Sequence, residues 1–242
     1  PIAVGIRIQH SQEMINKNQY GLVSHPKLEA ASYKLTYKAN NGRGVYSFCM
    51  CPGGYVVNAS SEQGKLAING MSNNARDSKN ANSALIVTVK PDDYGEHPLD
   101  GVEFQRRLEE NAYKIGNGLI PIQKYVDYKN NRVTNKLGSI EPIFKGNYTL
   151  ANINDVFPKY VNESLVEAIE YFNKKFANKT ENNNPHHNKI KTNKENNQKN
   201  DIWKIENLTL KRNSLRSVTN NKKKTQIEDE ESSEHSNQSF GD

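Results

Sequence analysis

Over the first ninety residues apolar and polar positions alternate with a period near two, interrupted by glycine, proline and asparagine. Ile2-Ala-Val-Gly-Ile-Arg-Ile8 is the first such run and predicts a strand. Ser11 can then cap a short helix through Glu13, Met14, Ile15 and Lys17 that stops near Tyr20-Gly21, with His10 at the junction. Ala30 to Lys38 predicts a second strand, with Tyr33, Leu35 and Tyr37 on one face. Asn40-Asn-Gly-Arg-Gly44 turns the chain into a third, Val45-Tyr-Ser-Phe-Cys-Met-Cys51, cut off by Pro52-Gly53-Gly54. Tyr55 to Ser60 and Lys65 to Asn69 predict a hairpin whose far end opens into an Asn69-Gly70 turn, a dipeptide that tolerates positive φ and exposes backbone N–H groups. Ala84-Leu-Ile-Val-Thr-Val89 is continuously apolar, as a strand buried on both faces requires.

Beyond residue 99 the period lengthens to that of a helix. Asp100 can cap a helix carrying Phe104, Leu108, Ala112 and Ile115 on one face, with Arg106, Arg107, Glu109 and Glu110 solvated on the other and Gly116 and Gly118 as the stop. Pro121-Ile-Gln123 reads as an extended connector, and the stretch to Asn154 as loop. A last helix, capped by Asn162, presents Leu165, Ile169, Phe172 and Phe176. After Ala177 the pattern disappears. Asn182 to Asn200 is almost entirely amide and basic, Lys222-Lys-Lys224 is a basic run and Glu228-Asp-Glu-Glu231 an acidic one, so too little apolar surface is available to offset ordering entropy. The expected organisation is one α+β domain over residues 1–177, a mostly antiparallel sheet packed by two or three helices, followed by an unstructured segment over 178–242. Trp203 with Ile202, Ile205, Leu208 and Leu210 is the one place there where a short docking element could form.

Composition narrows the class. A hydrophobic content of 34% and a mean hydropathy of −0.88 suit a part-ordered chain. A net charge of +6 over 242 residues does not require a polyanionic partner, and the basic tail lacks the interleaved aromatics that stack on bases. No run approaches the ~18 apolar residues of a membrane span, and no apolar N-terminal segment resembles a signal peptide, so an intracellular setting without membrane is expected. Two cysteines exclude a disulfide scaffold.

The candidate chemistry lies between Val45 and Val89. In a regular strand Cys49 and Cys51 would share a face with Cα atoms roughly 6.6 Å apart, near the limit for a disulfide, so a bridge needs a kink. They are either reactive thiols or small buried hydrophobes. No second Cys or His pair stands at metal spacing, so no metal is expected. Asn69 and Gly70, then Met71 and Ser72, then Arg76 with Asn80, Asn82 and Ser83, place a cationic fork and several amides just before the buried strand, where they suit a pocket rim.

The string Phe48-Cys-Met-Cys-Pro-Gly-Gly54, with Asn69-Gly-Met-Ser72, Arg76 and Asn80-Ala-Asn-Ser83 behind it, resembles the FAD-dependent dehydrogenases also called NAD(FAD)-utilising dehydrogenases. Tyr20-Gly21, Pro98-Leu-Asp-Gly101 and Pro121-Ile-Gln123 match in order, and the likeness covers residues 1 to about 175, although Gln9 stands where that family has an acid. The resemblance implies the cap or substrate domain of a two-domain oxidoreductase that uses FAD, with NAD(P)H as a possible electron partner and a small molecule as substrate. Cys49 and Cys51 would be catalytic. Pro52, Gly53, Gly54, Asn69 and Gly70 would meet the cofactor, and His10, Met71, Ser72, Arg76, Asn80, Asn82 and Ser83 the substrate. Such enzymes hold FAD mainly through a glycine-rich βαβ unit. Gly42-Arg-Gly44 is not one, since Ser47 replaces the third glycine and a strand follows. The chain therefore reads as a piece whose FAD-binding domain lies elsewhere in the same polypeptide. The competing class is a non-catalytic protein whose basic tail contacts nucleic acid.

Overall fold

A computed structural model describes residues 2–97, 99–182 and 207–211, with side-chain surroundings for 2–97 and 99–176. The tracts Asn183–Asn200 and Lys222–Glu231, Trp203 and the His186-His187 pair lie outside the described residues. The described residues between Ala3 and Lys211 form one compact unit, and its architecture is α+β.

Strands β1 (Ile2–Ser11), β2 (Thr36–Lys38), β3 (Gly44–Cys51), β4 (Gly54–Asn58), β5 (Ile68–Ser72) and β6 (Asn80–Val89) come from the alternating part of the chain. Helix α1 (Gln12–Tyr20) follows β1 directly, and α2 (Asp100–Ile115) follows β6. Then come β7 (Ile120–Ile122), α3 (Tyr125–Lys129), β8 (Phe144–Lys145), β9 (Tyr148–Leu150), the long helix α4 (Lys159–Asn182) and β10 (Asn207–Lys211). Eight strands form one sheet in the order β2-β3-β6-β1-β10-β5-β4-β8, and β7 and β9 pair in a second, parallel one. The β2/β3, β3/β6, β4/β5 and β1/β10 pairs are antiparallel, while β10/β5 and β4/β8 are parallel.

The large sheet curls. Gly70 of β5 faces Arg7 of β1 and Asn82 of β6, close enough that a Cβ on residue 70 would collide with both. Asn82 Nδ2 also donates to Tyr55 O at 3.3 Å, linking β6 to β4. Both faces of β1 and β6 are consequently buried. Helix α4 covers the β2-β3-β6 side through Val161, Leu165, Ala168, Ile169, Phe172 and Phe176, each large apolar side chain contributing about 1.5–3 kcal/mol by leaving water. Asn18 Nδ2 donates to Phe176 O and ties α1 to the same helix.

Several expectations change with tertiary context. The second strand is only three residues long. Upstream, Leu35 N donates to Ser47 Oγ at 2.7 Å and Gln12 Nε2 to Ala31 O at 3.0 Å, so side chains take backbone groups that a ladder would otherwise use. Asn69 and Gly70 do not turn; they pair with Val57 and Val56 inside β5, and Gly70 is needed for closeness to Arg7. Asn82 and Ser83 form no rim, because they are buried members of β6, and Asn80, at the start of the same strand, is buried too. Glu109, expected on the solvated face of α2, is buried. Helix α4 begins three residues before Asn162, behind Pro158, whose carbonyl accepts from Val161 N at 2.9 Å. Asn162 instead accepts the Tyr128 phenol at 2.7 Å and donates to Asn154 O at 2.9 Å. Helix α4 runs five residues past the expected boundary at 177, and Asn207-Leu-Thr-Leu-Lys211, a local alternating run in the segment expected to be unstructured, joins the sheet beside β1.

Candidate functional site

Strand β1 supplies the site's frame. Its side chains alternate, so Gly5, Arg7 and Gln9 share one face and Ile6, Ile8 and His10 the other. Arg7, Gln9 and His10 have no accessible surface. Burying such groups is costly unless hydrogen bonds replace water, and the partners come from the Cys-Pro-Gly loop and from β6.

On the first face Arg7 donates to Cys49 O from Nη1 at 3.2 Å and from Nη2 at 2.9 Å, and Nη2 lies 3.6 Å from Cys51 Sγ. No carboxylate among the described residues pairs with it. Burial pulls the guanidinium below its ordinary value, while the Cys51 and Cys49 sulfurs and the Tyr33 phenol pull the other way. Strand β3 is bulged between Phe48 and Cys51, and Cys49 sits at φ 44°, left-handed backbone that a non-glycine residue adopts only when held. Arg7 does the holding. Cys49 is exposed, Cys51 half-buried, and neither is in a disulfide. Next along this face, Gln9 Oε1 accepts from Ile143 N at 3.0 Å and Asn80 Nδ2 at 3.5 Å, and Asn80 Nδ2 also donates to Glu141 O at 2.8 Å.

The opposite face carries a separate cluster. His10 Nε2 and the Tyr33 hydroxyl lie 2.8 Å apart, and Tyr33 also bonds to Ser83. Burial pushes His10 down to about 3 and raises Tyr33. The period of two therefore divides the predicted substrate set, with His10 and Ser83 on one side of the sheet and Asn80 and Asn82 on the other.

The Pro52-Gly53-Gly54 turn is clamped from two sides. Gly53 N donates to Gln12 Oε1 at 2.8 Å, and Gly53, at φ 49°, packs so tightly on Arg76 O that a Cβ would collide with it. Arg76 is itself left-handed at φ 51°, and its exposed guanidinium pairs with Glu29 at 2.9 Å. These contacts border a groove of about 800 Å³ between the start of α1 and the turn before β6, lined among others by Gln12, Glu13, Arg76, Lys79, Asn80 and Glu141. Of the predicted substrate residues, only Arg76 and Asn80 line it. Met71 is exposed and Ser72 half-exposed at the end of β5. A second cavity, about 550 Å³ between α3 and α4, contains none of the predicted residues.

From the sequence, Arg7, on the same strand face as Gly5, is expected to reach a phosphate or carboxylate or to sit in a surface salt bridge, the ordinary outcome, and Gln9 and Gln12 have no role. The available signal was polar side chains at alternate positions of a strand whose other positions are isoleucine. That pattern does not by itself distinguish a solvated face from a buried polar one.

Gly42-Arg43-Gly44 only closes the β2/β3 hairpin: Gly42 N donates to Ala39 O at 2.8 Å and Arg43 pairs with Asp93 at 2.6 Å. Among the described residues no group of three potential ligands could hold a metal, and no helix is long and apolar enough to cross a membrane.

Residues 1–185 match the family described as FAD-dependent protein, C-terminal domain-like. The chain is also 52% identical over 178 residues to an uncharacterized protein of Clostridium beijerinckii, an alignment that takes 72% of this chain and 33% of that relative. It thus spans about one third of the length of the curated relative it matches. A match over most of the described fold gives the assignment: the chain belongs to the FAD-dependent protein, C-terminal domain-like family.

Proposed function

We propose that this domain is the substrate-side part of an FAD-dependent oxidoreductase, a dehydrogenase acting on a small molecule, with NAD(P)H as electron partner. The groove beside the Pro52-Gly53-Gly54 turn carries the reading. It places a guanidinium (Arg76) and an amide (Asn80) at a wall stiffened by Gln12 and by the glycine contact on residue 76. Such a wall holds an amide and a cationic side chain in fixed positions, which is what stabilising charge on a ring edge or a substrate oxygen requires. The flavin supplies the electron chemistry, and the chain's own residues orient and exclude water. The rest of the binding site comes from the flavin-binding part of the same polypeptide.

The test uses the full-length Clostridium beijerinckii relative beside this chain. The relative is expected to purify yellow with bound FAD, and this chain colourless. Alanine at the counterparts of Arg76 and Asn80 should shift the flavin absorption bands and slow reduction by NADH or NADPH. A relative that neither carries flavin nor binds added FAD would overturn the reading.

A further inference from the structure

Three donors converge on Cys49 O. Arg7 sends two N–H groups to that oxygen, at 3.2 and 2.9 Å, and the Cys51 thiol sends a third donor from 3.3 Å. A carbonyl offers two lone pairs. Taking the proton off Cys51 leaves two donors for two lone pairs and makes the sulfur an acceptor for Arg7 Nη2, 3.6 Å away. The same change neutralises a guanidinium that has no accessible surface and no carboxylate partner among the described residues, a charge that is expensive to bury alone. Arg7 Nε, also buried, has no hydrogen-bond partner among the described residues. The sulfur itself is half-buried rather than sealed, and Cys49 two residues away is exposed. The bulge supplies the kink that a bridge between residues 49 and 51 needs and that a regular strand would lack.

We propose that Cys51, beside Arg7, is the attacking sulfur, that Cys49 is its resolving thiol, and that the pair reacts with small hydroperoxides. The Cys51 thiolate attacks one peroxide oxygen. An S–O bond forms, the O–O bond breaks, and the departing oxygen takes a proton from solvent to leave as water or alcohol. The sulfur is oxidised by two electrons and the peroxide reduced. Cys49 then attacks the Cys51 sulfenic acid, forming an S–S bond as the S–O bond breaks, with the hydroxide leaving as water on the Cys49 proton. A guanidinium facing the sulfur favours this class because it stabilises the negative charge that develops on the leaving oxygen. No flavin is needed, so the inference goes beyond the groove and fails or stands separately from it.

Cys49 and Cys51 are the only cysteines in the chain, so every thiol event reports on this pair. The full chain, reduced, would be treated with hydrogen peroxide and followed by intact mass. The expected result is loss of two hydrogens at pH 7, at a rate about tenfold or more above that of free cysteine, since an unperturbed thiol is only a few per cent ionised there. Cys49→Ser should stop at a sulfenic acid that dimedone traps on Cys51, and Cys51→Ser should react no faster than free cysteine. Equal reactivity of the two single variants, or a wild-type rate at the free-cysteine level, would overturn the proposal. Arg7→Lys should slow the reaction while keeping a cation in place. Because Arg7 variants can fail to fold, a second readout leaves Arg7 intact: in Cys49→Ser, the ratio of alkylation rates by anionic iodoacetate and neutral iodoacetamide. A ratio above that of free cysteine shows the guanidinium acting at Cys51; an equal or lower one overturns the pairing.

Discussion

Helix α4 and strand β1 are both deeply buried, and they achieve it by opposite chemistry. The helix turns Leu165, Ile169, Phe172 and Phe176 inward and keeps its glutamates at the boundary, where Glu167 accepts from the Tyr37 hydroxyl at 2.7 Å and from Asn40 N at 3.0 Å. The strand buries Ile6 and Ile8 together with Arg7, Gln9 and His10. Apolar burial needs only volume and contact, so many sequences could serve in α4. Polar burial needs a particular partner for each atom, and those partners lie in β3, β6, the loop at residue 143 and, for His10, at Tyr33 ahead of β2. The apolar face of the helix therefore contributes stability that is indifferent to pH and chemistry. The strand makes the domain sensitive to both.

The contrast is broken most strongly by emptying the apolar side. Phe172→Ala should destabilise the domain by about 3–5 kcal/mol in denaturant titration, with no change in Cys51 reactivity in the protein that remains folded. Acid attacks the other side. His10 stays neutral in the fold down to about 3, whereas in the unfolded chain it binds a proton near its ordinary value of 6.5. The unfolded state takes up the proton first, so this contribution is complete above about 6.5 and is lost as pH falls from there towards about 3. Its full size is on the order of a few kcal/mol, and in His10→Gln this part of the pH dependence of the denaturation midpoint should flatten.

Gly70→Ala tests the close approach of β5 to Arg7 and Asn82 and should cost about 1–3 kcal/mol through overpacking. It should also change the Cys51 alkylation rate, because Arg7 must move. Arg76→Ala should cost least, below about 1 kcal/mol, since its pair with Glu29 is solvent-exposed. In the full-length relative the counterpart substitution should nonetheless disturb the flavin spectrum. A large loss of stability with an unchanged spectrum would make Arg76 part of the frame rather than of the site.

The apolar architecture was readable because its signal is periodic and local. The faces of α2 and α4 and the core of β6 follow from spacing alone, and Gly21 stops α1 in the left-handed conformation, φ 74°, that its place after Tyr20 suggests. The site was readable only as a region. Asn80, Asn82 and Ser83 are adjacent in sequence and polar, yet the pleat sends Ser83 to Tyr33 and His10 and sends the two amides to Tyr55 O and Glu141 O. Arg7 was the larger surprise, since nothing local tells a solvated arginine from one whose counterpart is a carbonyl 42 residues away.

By itself the sequence determined the two periods, the turns at glycine, the long helix and the cysteine-glycine string that resembles flavin-dependent enzymes, because each is written within about ten consecutive residues by hydrophobic spacing or backbone freedom. Tertiary structure alone decided that the sheet curls, so that Gly70 meets Arg7, that β10 joins the sheet beside β1, and that Cys51 faces a buried cation. Those outcomes depend on contacts between distant strands. Their energies exist only once the intervening chain has closed, and no local window contains both partners.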